Sequence, residues 1–483
     1  MTRVLLAASE CAPLVKTGGL ADVIGALPAV LASEGVDARI LLPGYPAVLE
    51  ALGDARPVDM PGGLPAAMTG RTARLLEAAP GGLPLLVFDA PALYDRAGGI
   101  YANDGRDWSD NALRFGAFAR LAAAIAAEGL ALSDGPWQPD VLHAHDWQAG
   151  LAPAYLAFIG RPRPSVMTIH NISFQGLFPP SVIDPLCLPR EGFTPDGYEF
   201  WGEVGFLKAG LMAAEAITTV SPGYAREILT PEFGMGLEGV LAARDNVLSG
   251  ILNGADTTVW NPASDPALPA PYKTPKGKAA SRAALLARFG LPEGPGPVLG
   301  VVTRLAWQKG IDLLLAALPG FIDGGGKLVL LGSGDAGLER QLRDAAIRHA
   351  GSVGIEIGYD EALSHLIYAG SDAIAVPSRF EPCGLTQLYA LRYGALPVVA
   401  RTGGLGDTVI DASPAAESAG VASGFVHAPG SVRALHQALE RLLATWADRA
   451  AWERMATNAM RQSVGWGPSA ARYAALYRRL STP

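Results

Sequence analysis

At 483 residues the chain is too long for one ordinary hydrophobic core and suits two large domains. With 49% hydrophobic and 17% charged residues it is globular rather than disordered, and its 58 glycines and 38 prolines fall short of low complexity. The formal net charge of −8, with no basic run, argues against nucleic acid as a partner, so an anionic ligand must be met by a few placed cations.

In chain order, the apolar run Val4–Ala8 reads as a buried parallel strand. Only five apolar residues precede Ser9 and Glu10, too few for a signal peptide. Lys16 to Val23 follows as K-T-G-G-L-A-D-V, and Val23, Ala26, Leu27, Val30 and Leu31 then repeat at helical spacing. Strand, Gly-Gly turn and helix is an arrangement that turns backbone N–H groups toward an anion, with Gly18 and Gly19 permitting close approach and Lys16 adding charge. Further strands are expected at Ala38–Leu42, Leu85–Phe88, Val141–Ala144, Val166–Ile169, Ile217–Val220 and Gly250–Leu252, alternating with helical patterns. That alternation predicts an α/β fold with a mostly parallel sheet, which binds ligands beyond the carboxyl ends of its strands. Polar residues gather there: His145, Asp146 and Trp147, then His170 and Asn171, then Asn253 and Asp256.

Residues 53–83, rich in Gly, Pro and Ala, read as an excursion of little chemical content. The stretch from Tyr94 to Phe115 interleaves aromatics with Asp, Asn and Arg, which suits a carbohydrate surface or an ordinary loop with a helix cap at Ser109. The apolar helix around Ala117 to Leu132 is interrupted by Arg120 and Glu128 and is no membrane span. His143 and His145 share one face of a strand, but with no third ligand evident they suit packing or hydrogen bonding better than a metal.

After Asn261 to Lys278 the pattern restarts, with strands expected at Val298–Thr303, Lys327–Leu331, Ile355–Ile357, Ala373–Val376 and Pro397–Ala400. Arg304 and Lys309, in R-L-A-W-Q-K-G at a strand end, fit a diphosphate better than a structural ion pair. Gly332 to Gly337 matches G-x-G-x-x-G between a strand and a helix, with Glu356 near the spacing of a ribose-binding acid, so an NAD-dependent oxidoreductase is a competing reading. A later strand of its half is the wrong place for that motif, and Gly234–Gly239 repeats the match without a strand. Glu381, in S-R-F-E-P-C-G-L-T-Q, either meets a sugar or caps a helix. Arg401 to Thr408, R-T-G-G-L-G-D-T, echoes the first Gly-Gly stretch: two ordinary turns, or similar loops from two α/β halves. The sequence contains no D-x-D, so no metal and no cofactor are expected. Three scattered cysteines, Cys11, Cys187 and Cys383, suggest a reducing compartment, and a cytoplasmic protein is expected. The final helix, Ser469 to Leu480, suits either half.

K-T-G-G-L-A-D-V, H-A-H-D-W-Q-A-G-L, T-I-H-N-I-S-F-Q-G-L-F, N-G-A-D-T-T-V-W-N-P, R-L-A-W-Q-K-G, S-R-F-E-P-C-G-L-T-Q-L-Y-A-L-R-Y-G and R-T-G-G-L-G-D-T-V occur in the order found in the bacterial glycogen synthases and their plastid starch synthase relatives, which the chain resembles from Lys16 onward. The resemblance implies a GT-B fold, two Rossmann-like domains facing across a deep cleft. Residues 1–253 would form an acceptor domain, 254–462 a nucleotide-sugar domain, and 463–483 a helix crossing back to the first. It implies transfer of glucose from ADP-glucose to an α-1,4-glucan, with UDP-glucose the alternative donor, by a monomer or small homo-oligomer with no membrane partner. Lys16, Arg304 and Lys309 would hold the diphosphate and Thr386 a phosphate oxygen. Gly18 and Gly19 would bring the backbone close, and Tyr359 would stack on adenine. Glu381, Cys383, Asn171 and Asn253 would line the glucose, His170 would lie near the reacting carbon, and Asp146 beside the acceptor. The implied retention needs a β-face carboxylate for a double displacement; the motifs supply none, which favours same-face displacement assisted by the departing diphosphate. Phosphorylase chemistry would need a pyridoxal-phosphate lysine that no motif offers.

Overall fold

The computed structural model describes residues 1–62, 64–160 and 163–482. These fall into two compact units: Met1–Leu252 together with the segment from Trp466, and Asn253–Gly465. In the first, a nine-stranded sheet runs Leu248–Gly250, Ala216–Thr219, Ser165–Ile169, Val141–His145, Thr2–Ala7, Val36–Pro43, Leu85–Asp89, Arg74–Ala78, Arg56–Val58. Its first seven strands are parallel; the last two join antiparallel at the edge. The strands are continuous apolar runs because helices cover both faces: Val4, Leu5, Leu6 and Ala7 are wholly buried.

The second unit carries a six-stranded, all-parallel sheet ordered Val353–Ile357, Lys327–Gly332, Val298–Val302, Ala373–Val376, Leu396–Ala400, Phe425–His427. In chain order that is 3-2-1-4-5-6, the doubly wound order. Each sheet therefore has a switch point beside its first strand. In the first unit it lies between Thr2–Ala7 and Val141–His145, in the second between Val298–Val302 and Ala373–Val376.

Most parallel strands lie where apolar runs predict them, but Phe425–His427, the last strand of the second sheet, was not expected. The strand expected at Gly250–Leu252 is Leu248–Gly250, because it is Leu248 that pairs with Ile217 and Gly250 with Thr219. Residues 53–83 are not a mere excursion: they contribute the two antiparallel edge strands. Alternation is missing there because Leu75 and Leu76 are both buried in succession, so the strand gives no period-two signal. The helix expected from Ala117 spans Asn111–Glu128, with Asp110 rather than Ser109 at its N-cap position and no side-chain cap bond. Among the described residues no helix is long and apolar enough to cross a membrane.

The C-terminal helix, Gly467–Ser481, packs on the first unit, against the helix Gly19–Ala32 and the strands Thr2–Ala7 and Val141–His145. Tyr473 and Tyr477 are fully buried there. Tyr477 Oη lies 2.7 Å from His143 Nδ1, whose Nε2 is 2.5 Å from Thr168 Oγ1. With both ring nitrogens engaged, His143 is a buried hydrogen-bonding residue and not a metal ligand. Tyr477→Phe should leave that nitrogen unpaired and cost about 1–3 kcal/mol in denaturant unfolding; an unchanged midpoint would show the bond to be dispensable.

Candidate active site

In the first unit, the loop after Thr2–Ala7 is organised by a buried carboxylate. Glu10 accepts from the backbone N–H of Thr17 (2.5 Å) and Gly18 (3.1 Å), from Thr17 Oγ1 (2.5 Å) and from Tyr101 Oη (2.7 Å). The anion these N–H groups meet is thus internal, and Gly18 N–H is already engaged. Lys16 is half-exposed and pairs with Asp22 at 2.7 Å. An added Cβ on Gly18 or Gly19 would meet nothing within 4 Å, so the space over this turn is open. Tyr101 comes from the aromatic stretch, where Arg96 pairs with Asp110 (2.8 Å to each oxygen) and lies over Trp108. Sequence reasoning passed over Glu10; its one signal was an acid directly after a buried strand.

Beyond Val141–His145, Asp146 takes a positive φ of 53°. Its Oδ1 accepts the backbone N–H of His170 at 2.7 Å and of Asn171 at 3.5 Å, which gathers these three residues. Burial outweighs those bonds and pushes the Asp146 carboxyl up to about 7. His145 Nδ1 lies 2.9 Å from His170 Nε2. Burial pulls His170 down to about 3 and, with the nearby His143 and His170, holds His145 well below the usual imidazole range, so both rings are neutral. His145 Nε2 is buried without a partner among the described residues. Each neutral ring keeps one N–H, and one of the two rings donates to the other through the bond between them.

In the second unit, two loops at the switch point clasp each other. Arg379 N–H donates to Gln308 O (2.8 Å), Gln308 Nε2 to Phe380 O (3.1 Å), and the Arg379 guanidinium to Trp307 O and both oxygens of Asp312. Gly310, at φ 67°, lets the first loop pass within a Cβ's reach of Pro377 O. Lys309 ends a short 3₁₀ turn, Trp307–Lys309, rather than beginning a helix. Its Nζ lies 2.5 Å from Glu381 Oε2, with the two side chains 17% and 11% exposed, and Ser378 Oγ donates to the same oxygen at 3.0 Å. Glu381 is therefore the lysine's counter-ion and not a helix cap. Arg304 is exposed, and its guanidinium makes no hydrogen bond or ion pair among the described residues.

Cys383 is buried, which pushes its thiol up to about 12 against the opposing pull of the Asn253 backbone N–H. Asn253 belongs to this unit, and its Oδ1 is buried without a partner among the described residues. Thr386 opens the helix Thr386–Tyr393. The far end of that helix is held by the buried Lys278 ammonium, which donates to Tyr393 O (2.8 Å) and Tyr368 O (3.1 Å). Tyr359 stands apart, largely exposed, its hydroxyl 3.0 Å from Glu361 Oε2.

The two glycine motifs of this unit serve internal packing. A Cβ on Gly332 would sit 2.1 Å from Thr303 O and one on Gly334 2.3 Å from Leu305 O. Asp335 caps the helix that follows by accepting from Leu338 N–H (2.9 Å), and Glu356 pairs with Arg288. The turn is filled by its own chain, which removes the dinucleotide reading. In the echo, Gly403 has φ 42° and a Cβ there would lie 2.1 Å from Glu381 O. The loop bearing Glu381 thus rests directly on the second Gly-Gly turn.

Two outcomes follow from this geometry. Gly403→Ala should cost at least ~2 kcal/mol, since it adds left-handed strain to a backbone collision, whereas Gly18→Ala, extended and unobstructed, should stay within about 0.5 kcal/mol. Equal melting temperatures for the two variants would contradict this. Asp146 sets a pH dependence. Its folded value near 7 exceeds its ordinary 3.8, so the folded state keeps a proton that the unfolded state releases, and the contribution of Asp146 to stability falls as pH rises from about 4 to 7, opposite in sign to that of the three neutral histidines. Asp146→Asn keeps an acceptor for His170 N–H and should flatten that fall by up to ~1.4 kcal/mol per pH unit. Parallel stability curves for parent and variant would overturn the shift.

Residues 3–243 match the family model described as starch synthase catalytic domain, and residues 286–459 that of glycosyl transferases group 1. A glycogen synthase from Paracoccus denitrificans (strain Pd 1222) is 55% identical, with 100% of each chain covered. Glycogen synthase 1 of Rhizobium meliloti (strain 1021) is 52% identical, with 99% of each covered. A solved structure of the catalytic domain of starch synthase IV from Arabidopsis thaliana, bound to ADP and acarbose, matches with a TM-score of 0.86 at 32% identity, covering 100% of this chain and 99% of that one. A sucrose-phosphate synthase from Thermosynechococcus elongatus, at 18% identity and a TM-score of 0.59, shares the fold alone. Relatedness of this degree along the whole chain places the protein in the glycogen and starch synthase family of GT-B glycosyltransferases.

Proposed function

We propose that the protein transfers glucose from ADP-glucose to the non-reducing end of an α-1,4-glucan, with retention at the anomeric carbon. The observation that carries the reading furthest is the second unit's switch point. A partly buried lysine, an exposed arginine with no side-chain partner among the described residues, and the start of a helix at Thr386 converge there on the ends of adjacent strands. That is a site for a diphosphate. Relatives named glycogen synthase, and a starch synthase neighbour bound to ADP, support adenosine as the nucleoside.

In this reading Arg304, Lys309 and Thr386 hold the diphosphate, and Tyr359 stacks on adenine. Glu381, Cys383 and Asn253 address the glucose. In the first unit Lys16, with Gly18 and Gly19, supplies a phosphate contact. His170 lies near the reacting carbon, Asn171 meets the sugar, and Asp146 lies on the acceptor side. A lysine ammonium carries three donors, and Glu381 engages one, so Lys309 can keep its counter-ion while meeting a phosphate oxygen. C–O cleavage builds negative charge on the β-phosphate, and a cation fixed beside it stabilises the transition state more than the ground state. The departing diphosphate is the nearest base for the acceptor hydroxyl on the same face, which yields the α-linkage without a covalent enzyme intermediate.

The assay is glucose incorporation into glycogen from ADP-glucose, with UDP-glucose in a parallel arm. ADP-glucose should be the better donor; equal or better use of UDP-glucose would replace the nucleoside assignment. Lys309→Ala should lose roughly 10²–10³ in kcat. Because it also strands the Glu381 carboxylate, its melting temperature is measured alongside, and Lys309→Ala/Glu381→Gln removes both charges at once. Lys309→Arg should recover only part of the rate, since the guanidinium fork differs in reach from an ammonium. A folded Lys309→Ala retaining more than about a third of kcat would refute the phosphate role.

A further inference from the structure

We propose that Phe174, Trp201 and Met235 form an apolar platform for the body of a long α-glucan and set the enzyme's preference for long over short acceptors. The inference rests on the glucosyl-transfer reading above.

Trp201 and Gly202 are the two turn residues of a tight hairpin whose strands, Glu199–Phe200 and Glu203–Gly205, pair antiparallel. Both have positive φ, 52° and 82°. This is the turn chemistry that favours Asn-Gly and in which a bulky aromatic is disfavoured. The hairpin is well anchored: Lys208 Nζ donates to Pro195 O and Glu199 O, and Gly202 N–H to Glu199 Oε1 at 2.7 Å. Strain there is not repaid by burial, because Trp201 is 83% exposed. A strained backbone that displays a large indole to solvent points to a ligand for the ring.

A second turn repeats the device. Met235 has φ 51°, is 42% exposed and precedes Gly236 at φ 86°. Gly236 lies against the hairpin tip, an added Cβ falling 3.4 Å from Phe200 and 3.7 Å from Trp201 Nε1. Gln175 Nε2 donates to Met235 O at 2.9 Å, and the neighbouring Phe174 is 59% exposed. Phe174 N–H in turn donates to Asn171 O. The segments that carry the exposed apolar side chains are therefore tied to the His170–Asn171 segment.

The chemistry selects the occupant. Pyranose rings present an apolar C–H face and a hydroxyl edge; an exposed indole presents a flat apolar face and an N–H, and Glu199 and Glu203 flank it with acceptors. A glucan entering at His170–Asn171 would lay its further residues along Phe174, Met235 and Trp201.

Trp201→Asn supplies the residue the turn favours, so the variant should melt no lower than the parent. The parent, Trp201→Asn and Trp201→Tyr are compared by mobility in native gels containing glycogen and by kcat/KM with glycogen and with maltose as acceptors. Trp201→Asn should lose gel retardation and lower the glycogen-to-maltose ratio of kcat/KM on the order of tenfold, with Trp201→Tyr largely restoring both. Unchanged retardation and an unchanged ratio in Trp201→Asn would overturn the platform. So would a Trp201→Asn whose sedimentation without glucan showed lost self-association, which would assign the surface to a second copy of the chain. If the parent transferred no glucose to any glucan, the underlying functional reading would fall instead.

Discussion

A parallel sheet covered by helices on both faces leaves almost no place for a polar side chain except where its strands end, and every candidate residue here obeys that constraint. Side chains along Val4–Ala7 or Val298–Val301 are sealed in apolar surroundings. At the switch point beside the first strand, neighbouring loops diverge and polar groups can gather without blocking helix packing. Both units use it. The loops after Thr2–Ala7, Val141–His145 and Ser165–Ile169 bring Lys16, Asp146 and His170 to one end of the first sheet, and those after Val298–Val302 and Ala373–Val376 bring Arg304, Lys309 and Glu381 to one end of the second.

Within that constraint, each half settles its charges in its own way. The Lys16 loop is closed on itself by Glu10, which takes up two backbone N–H groups and the Tyr101 hydroxyl, while the lysine stays half-exposed beside Asp22. The Lys309 loop is cross-braced to its neighbour, and the lysine is partly buried against Glu381. Preorganisation of this kind lets a cation stabilise developing charge without first rearranging. The two Gly-Gly turns diverge accordingly. One stands open above Gly18 and Gly19, and the other, at Gly403, is the floor on which the Glu381 loop rests. The same motif does opposite work because one glycine pair lacks neighbours and the other is crossed by backbone.

The histidines show how packing selects a chemical role. On its own an imidazole titrates near neutrality and could act as acid or base. Buried among one another, His143, His145 and His170 are held neutral, and a hydrogen bond ties the His145 and His170 rings together. The C-terminal helix takes part in this, since Tyr477 engages His143 from beneath.

Most of the parallel strands, the position of each motif at a strand end, and the family were legible in the sequence, because a buried strand or a loop motif is a local pattern of a few consecutive residues; the three-residue strand Phe425–His427 was too short to show. The edge strands at Arg56–Val58 and Arg74–Ala78 were not, since three to five residues without alternation carry no periodic signal. Nor was any counter-ion or hydrogen-bond partner. Glu381 lies 72 residues from Lys309, Tyr101 lies 91 from Glu10, and Tyr477 lies 334 from His143. Such pairings are set by which strands become neighbours, and that is decided by the packing of the whole sheet. Sequence alone determined that Lys309 is a cation at a strand end; only the tertiary structure decided that it is a paired one, and that His170 is buried and neutral beside His145.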